Sequence, residues 1–197
     1  MKPLTPTTPH VIIMVGIPGA GKTAFAEQFA KTFHAPYINP SMISEQTGTD
    51  EDATEKVTQL FFNELLKTKQ TLIYEGSTYA KAQRIAIVKL IAKAGYRPLI
   101  VWVQTEPTEA KRRAISKSKK GARLSPDEFD DALSRFQAPS EVEKAVVISG
   151  RHTFATQVKI VLKRLATTTR PERPSLPQPP TPPTKPRPTG IRNITIR

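Results

Sequence analysis

Eight consecutive residues, Gly16-Ile17-Pro18-Gly19-Ala20-Gly21-Lys22-Thr23, have the types and spacing G-x-x-x-x-G-K-[ST]. The chemistry such a stretch performs is phosphate binding. Glycines let the backbone wrap closely around a phosphate with its amides pointing inward. A helix starting after Gly21 adds its positive N-terminal end. The Lys22 ammonium can reach the β- and γ-phosphates of a nucleoside triphosphate, and the Thr23 hydroxyl can ligate magnesium. The four fixed positions arise by chance in roughly one per cent of chains this long. Here they also follow an apolar run and precede a helical pattern, which is the context the chemistry needs. All eight residues are therefore candidate nucleotide-binding residues.

A phosphate loop names a ligand and leaves the reaction open. Glu75 ends an apolar run at the edge where ligands bind in doubly wound sheets. A carboxylate there holds a magnesium-bound water, accepts a substrate proton, or is a plain acid at a strand end. The segment Lys111-Arg-Arg-Ala-Ile-Ser-Lys-Ser-Lys-Lys-Gly-Ala-Arg123 holds seven basic residues and no acid. It reads as a helical flap that closes over a nucleotide and neutralises charge on a phosphoryl group in transfer. The other readings are a solvated charge run and a non-specific nucleic-acid patch. No Asn-Lys-x-Asp segment for reading guanine is present. After the third strand there is a single acid, Glu75, where motor ATPases usually carry an acidic pair. Arg84, on the next helix, either touches an acceptor or pairs with an acid. Trp102 lies within an apolar run and belongs in the core.

The elements that position these residues follow from hydrophobic periodicity. Val11-Ile-Ile-Met-Val15 is a continuous apolar run, as a strand buried on both faces requires. A helix over 22–33 aligns Phe25, Phe29 and Phe33 on one face. A short strand over 37–39 ends at Pro40, and 52–67 reads as a helix with acids in its first turn. A strand at 71–74, a helix at 80–94 stopped by Gly95, and a strand at 98–103 follow. Helices over 108–118 and 126–136 flank the basic loop. A last strand at 146–148 leads to a helix from 153 to about 165. This alternation predicts an α/β fold: a three-layer sandwich with a parallel five-stranded sheet covered by helices on both faces, plus a helical lid at about 106–124.

The chain has 197 residues, with 30 Lys+Arg against 17 Asp+Glu and a net charge of +13. One mid-sized domain with a proper core fits that length. There is no cysteine, which excludes disulfides, thiol catalysis and Cys-bound metal sites. Three widely separated histidines make a histidine metal cluster unexpected. No apolar run reaches the ~18–20 residues of a membrane span. Residues 1–10 are Pro/Thr-rich and read as a flexible segment without the pattern of a secretory signal, so a cytoplasmic protein with no membrane role is expected. Residues 170–197 hold nine of the nineteen prolines, six basic residues and one acid. The stretch from 169 onward reads as a disordered basic tail, either a spacer or a segment that binds a protein partner. The positive excess points to an anionic partner, a nucleotide or a nucleic acid.

Taken together, Val11–Thr23, Leu72–Thr78, Arg113–Lys117 and Ser125–Pro139 resemble the polynucleotide-kinase-like branch of P-loop kinases, a set that also includes zeta-toxin-like kinases. The resemblance covers about residues 10–165 and implies transfer of the γ-phosphoryl group of ATP, with Mg2+, to a hydroxyl of a nucleic-acid end, nucleotide or small metabolite. By it, Lys22 and Thr23 match the phosphate and metal residues, and Arg113 matches the first lid arginine. Lys117 stands where a second arginine is usual, keeping charge but losing the bidentate fork. Arg123 is the third lid residue expected to reach the nucleotide. The implied catalytic set is Lys22, Glu75, Arg113 and Lys117, and the implied metal pair is Thr23 and Glu75. One departure matters: the family's short second strand is followed by an Asp that takes the acceptor's proton, and Ser41 occupies that position here, with Ser44 at that of a following Arg. Either Glu75 or Glu45 then supplies the base, or transfer is weak and the chain is a nucleotide-binding module that engages a partner or nucleic acid.

Overall fold

The computed structural model describes residues 8–116 and 124–169. Lys117 and Arg123, the N-terminal residues up to 7 and the Pro-rich tail from 170 lie outside the described residues.

The central strand, β1 (His10–Val15), is buried along its whole length. It pairs in parallel with β3 (Leu72–Tyr74) on one side and β4 (Arg97–Gln104) on the other, in the register Ile12↔Ile73 and Ile12↔Leu99. β2 (Tyr37–Ile38) and β5 (Val146–Ser149) complete an all-parallel sheet of order β2-β3-β1-β4-β5. Side chains alternate across a strand, so β1 feeds two cores. Ile12 and Met14 join Phe25, Phe29, Val101, Ile148 and Val161. Val11, Ile13 and Val15 join Phe62, Leu66, Ile91 and Ile100 on the other face. A parallel strand covered on both faces must be apolar at every position, which is what its sequence shows.

The first core is covered by α1 (Lys22–Phe33) and α7 (Phe154–Thr169). Phe25, Phe29 and Phe33 fall four residues apart on α1 and stack along it, with ring centroids 5.7 and 4.6 Å apart. The second core is covered by α3 (Glu51–Lys67) and α4 (Lys81–Lys93). Trp102 is partly buried on this side, its ring centroid 6.5 Å from that of Phe136. Beyond β4, α5 (Pro107–Ile115) and α6 (Pro126–Arg135) lie together, tied by Lys111 to Asp130 at 2.6 Å.

Three α-helices differ from the sequence expectation. α7 runs to Thr169, past its predicted end at about 165 and one residue into the stretch read as tail. The residues after Pro40 form a helix, α2 (Pro40–Thr47), where no element is predicted. It buries none of its residues, so it has no apolar periodicity to betray it. Its signals are local: Asn39 caps it through a bond from the Ser41 amide, Pro40 opens it, and Gly48 closes it. α5 ends at Ile115, capped by Ser116, three residues before the predicted limit of 118. Among the described residues no helix is long and apolar enough to cross a membrane.

Candidate functional site

The loop 16–21 joins β1 to α1 at the carboxyl edge of the sheet. Gly21 is the N-cap of α1 and offers no side-chain acceptor, and the first turn carries no acid. The amides of that turn and its positive end are thus left for an anion. The Lys22 ammonium folds back over the loop, donating to the carbonyls of Gly16 and Ile17 at 3.0 and 3.1 Å. Loss of hydration lowers its pKa from the ordinary lysine value, and the nearby Glu75 opposes that shift. A phosphate in the loop would set a further negative charge directly against this ammonium.

Thr23 and Glu75 are far apart in sequence and meet in space. The Thr23 hydroxyl donates to Glu75 Oε1 at 2.8 Å. Glu75 is 8% exposed, and its second oxygen accepts from the Tyr37 hydroxyl at 2.5 Å. Burial and the neighbouring carboxylate raise the pKa of Tyr37, so it remains a donor. Its oxygen in turn accepts from Asn39 Nδ2 at 3.0 Å. The turn after Glu75 is pinned to the central strand by Thr78, whose hydroxyl donates to the Met14 carbonyl at 2.7 Å. One hydroxyl and one carboxylate beside a phosphate loop are hard oxygen donors of the type magnesium takes. Among the described residues no group of three or more His, Asp or Glu is placed to hold a metal. The chemistry of the Thr23 and Glu75 oxygens is of a kind that fits a magnesium ion.

Arg113, on α5, reaches the same region. Its Nε donates to Glu109 at 2.8 Å and one terminal nitrogen donates to the Gly150 carbonyl at 3.1 Å. Glu109 also accepts two bonds from Arg112, and these guanidinium groups pull its carboxyl down to about 2. The loop is wedged between the segments that follow β4 and β5. Thr105 donates its hydroxyl to the Ala20 carbonyl at 2.9 Å. At Gly150 a Cβ would lie 2.1 Å from that same carbonyl oxygen. At Gly19, which has φ +74°, a Cβ would lie 2.1 Å from the Ala110 carbonyl oxygen. Only glycine meets both demands at Gly19. Gly19→Ala is expected to cost about 2 kcal/mol, from the left-handed backbone and the clash together. A fall in melting temperature with weakened ADP binding is the expected reading, and an unchanged pair of values would show that α5 does not press on the loop.

Of the sequence-predicted residues, Gly16 through Thr23, Glu75 and Arg113 come together. Lys117 and Arg123 lie outside the described residues. Ser41 is exposed at the second position of α2, its amide bonded to Asn39 Oδ1 at 2.9 Å. Ser44 donates to the Thr49 carbonyl, and Glu45 is exposed on the same helix. Arg84 resolves toward structure. It is fully buried, pairs with Glu143 at 2.6 Å, and donates to the carbonyls of Thr78, Tyr79 and Gln137. Sequence reasoning missed Tyr37 and Asn39. The only local signal was Asn39-Pro40, a helix-cap pattern, and nothing in it points to Glu75.

A family model described as an AAA domain matches residues 11–139. No curated protein matches the chain. Among solved structures, a gluconokinase from Sinorhizobium meliloti is similar over 82% of this chain and 94% of its own, with 15% identity and a TM-score of 0.61. Kti12 from Chaetomium thermophilum, solved with ADP-AlF3, is similar over 79% of this chain and 97% of its own, with 13% identity and a TM-score of 0.63. A chain of the Pnkp1/Rnl/Hen1 RNA repair complex is similar over 70% of this chain and 45% of its own, with 17% identity and a TM-score of 0.58. Identities this low speak for the fold alone.

Proposed function

Since the chain belongs to the AAA domain family and has the fold of P-loop kinases, we propose that it binds ATP with magnesium and transfers the γ-phosphoryl group to a hydroxyl acceptor. The observation that carries this reading is the 2.8 Å bond between Thr23 and Glu75 beside an uncapped helix N-terminus. It sets a metal-type oxygen pair next to a phosphate-type cradle. Bound Mg2+–ATP supplies the phosphoryl group and the metal charge. Lys22, now on the Gly16 and Ile17 carbonyls, would hold the phosphates, and Arg113 beside the loop would balance charge on them. Thr23 and Glu75 would hold the metal, and Lys117 and Arg123 would act from the lid.

Local charge supports one kind of acceptor over another. Residues 40–55, which follow the end of β2, carry five acids (Glu45, Asp50, Glu51, Asp52, Glu55) and no Lys or Arg. That is a net of −5 in a chain of +13. A polyanionic acceptor would be repelled there, so a small hydroxyl metabolite is favoured over a nucleic-acid end. The basic excess sits instead at 111–123 and in the tail, where it serves the nucleotide and partners.

A second reading is a nucleotide-binding module with little transfer. The site favours it in one respect: Ser41 is no base, and both Glu75 oxygens are already engaged as hydrogen-bond acceptors, from Thr23 and Tyr37. Transfer of labelled γ-phosphate from Mg2+–ATP separates the readings, with a 5′-hydroxyl oligonucleotide and a panel of polyols and sugars as acceptors. The expected result is label on a small acceptor and none on the oligonucleotide, raised about tenfold in Ser41→Asp by a restored general base. Label on the oligonucleotide would reverse the acceptor ranking. Bound nucleotide with no transfer in either protein would leave the binding module.

A further inference from the structure

Tyr37 opens the short edge strand β2, and its hydroxyl reaches the metal-side carboxylate. Its ring packs against the first core, and a hydroxyl in such a place is commonly satisfied by a backbone carbonyl. Here it donates to Glu75 Oε2 at 2.5 Å, while Thr23 donates to Oε1 of the same carboxylate at 2.8 Å. The two donors approach different oxygens, so together they fix the plane of the carboxylate, which one bond alone leaves free to swing. Tyr37 is itself fixed by Asn39, whose Nδ2 donates to the hydroxyl oxygen at 3.0 Å. Asn39 is 7% exposed, and its other side-chain atom caps α2 through the Ser41 amide. One unbroken network thus runs from the start of α2 to the metal-side carboxylate.

From this geometry we infer that Tyr37 is a positioning residue for the magnesium site: it holds Glu75 in the orientation in which that carboxylate and Thr23 receive the ion together. The inference rests on the proposed nucleotide–magnesium reading of the site. It adds a requirement that the phosphate loop does not contain. The metal pair depends on a hydroxyl brought in by β2, and through Asn39 that hydroxyl depends on the helix at the acceptor side.

Calorimetric ADP affinity of the full chain, measured without metal and with saturating MgCl2, gives the test. In the native protein Mg2+ tightens ADP binding. In Tyr37→Phe the ring and its packing remain, metal-free ADP affinity stays at the native value, and the gain on adding Mg2+ falls about tenfold, as removal of an outer-shell partner does at metal sites. Asn39→Ser keeps an oxygen to cap α2 while removing the amide that fixes the hydroxyl, and it shifts the gain in the same direction by less. The melting temperature of each variant, taken in parallel, shows that it is folded, and Asn39→Ser carries the test if Tyr37→Phe is not. An unchanged Mg2+ gain in the folded variants overturns the inference. So does an equal loss of ADP affinity with and without metal, since that is the mark of a merely structural tyrosine. A native protein that binds ADP with no gain from Mg2+ would instead overturn the metal reading of Thr23 and Glu75, and this inference with it.

Discussion

Lys22→Ala is expected to reduce ADP and ATP affinity at least 100-fold, or about 3 kcal/mol, with little change in melting temperature. The asymmetry comes from what Lys22 does in each state. In the structure its ammonium donates to two carbonyls of its own loop, Gly16 and Ile17, and each such bond, worth about 1 kcal/mol net, is offset by the cost of burying the charge. With nucleotide it faces phosphate oxygens in a place where its pKa is already lowered by lost hydration, so the gain from an anionic partner is large. Burial and anion together set the sign: a phosphate raises the Lys22 pKa back toward the ordinary value, so binding takes up a proton wherever the free ammonium is partly deprotonated. Isothermal titration with ADP measures the affinity, and circular dichroism melting checks the fold. Undiminished binding in the variant would remove the loop as the nucleotide site.

What the sequence disclosed of this site was the part that local chemistry dictates. A phosphate cradle needs glycines, a lysine and a hydroxyl within eight residues, so Gly16 to Thr23 announces itself. The sheet was legible for a similar reason. Strands buried on both faces, such as Val11–Val15, are apolar throughout, and the Phe25, Phe29, Phe33 stripe has helical spacing. What stayed hidden depends on contacts across long stretches of chain. Tyr37 meets Glu75 from 38 residues away, and Gly150 lies against Ala20 because β5 and β1 end at the same edge. α2 was hidden because it fully buries no residue and only Ile43 packs against the core, so its caps were its main signal. Arg84 could be read toward acceptor or acid. Its burial decides between them, and burial is a property of the whole fold.

Arg84→Met is expected to be the most destabilising single change, about 3–5 kcal/mol, because it leaves Glu143 buried without its cation. Each kcal/mol lowers the melting temperature of a domain this size by about 2–4 °C, so a fall of about 6–20 °C is the reading. The side chains concerned are 0% and 9% exposed, and the guanidinium also satisfies three carbonyls that bind the turn after β3 to the residues after α6. Arg84 pulls the Glu143 carboxyl down to about 2, with the Ser140 amide and hydroxyl helping. A carboxyl depressed in the folded state stabilises fully above its unfolded value of about 4.3. That contribution is lost as the pH falls through 4 toward 2. The native protein should therefore lose melting temperature over that window. Arg84→Met should lose less, or gain, since protonating an uncompensated buried Glu143 relieves it. Replacing both partners, Arg84→Met with Glu143→Leu, should recover part of the deficit, because an apolar pair carries no desolvation penalty. A double variant as unstable as Arg84→Met would show that the three carbonyl bonds, and not the ion pair, hold this corner of the fold.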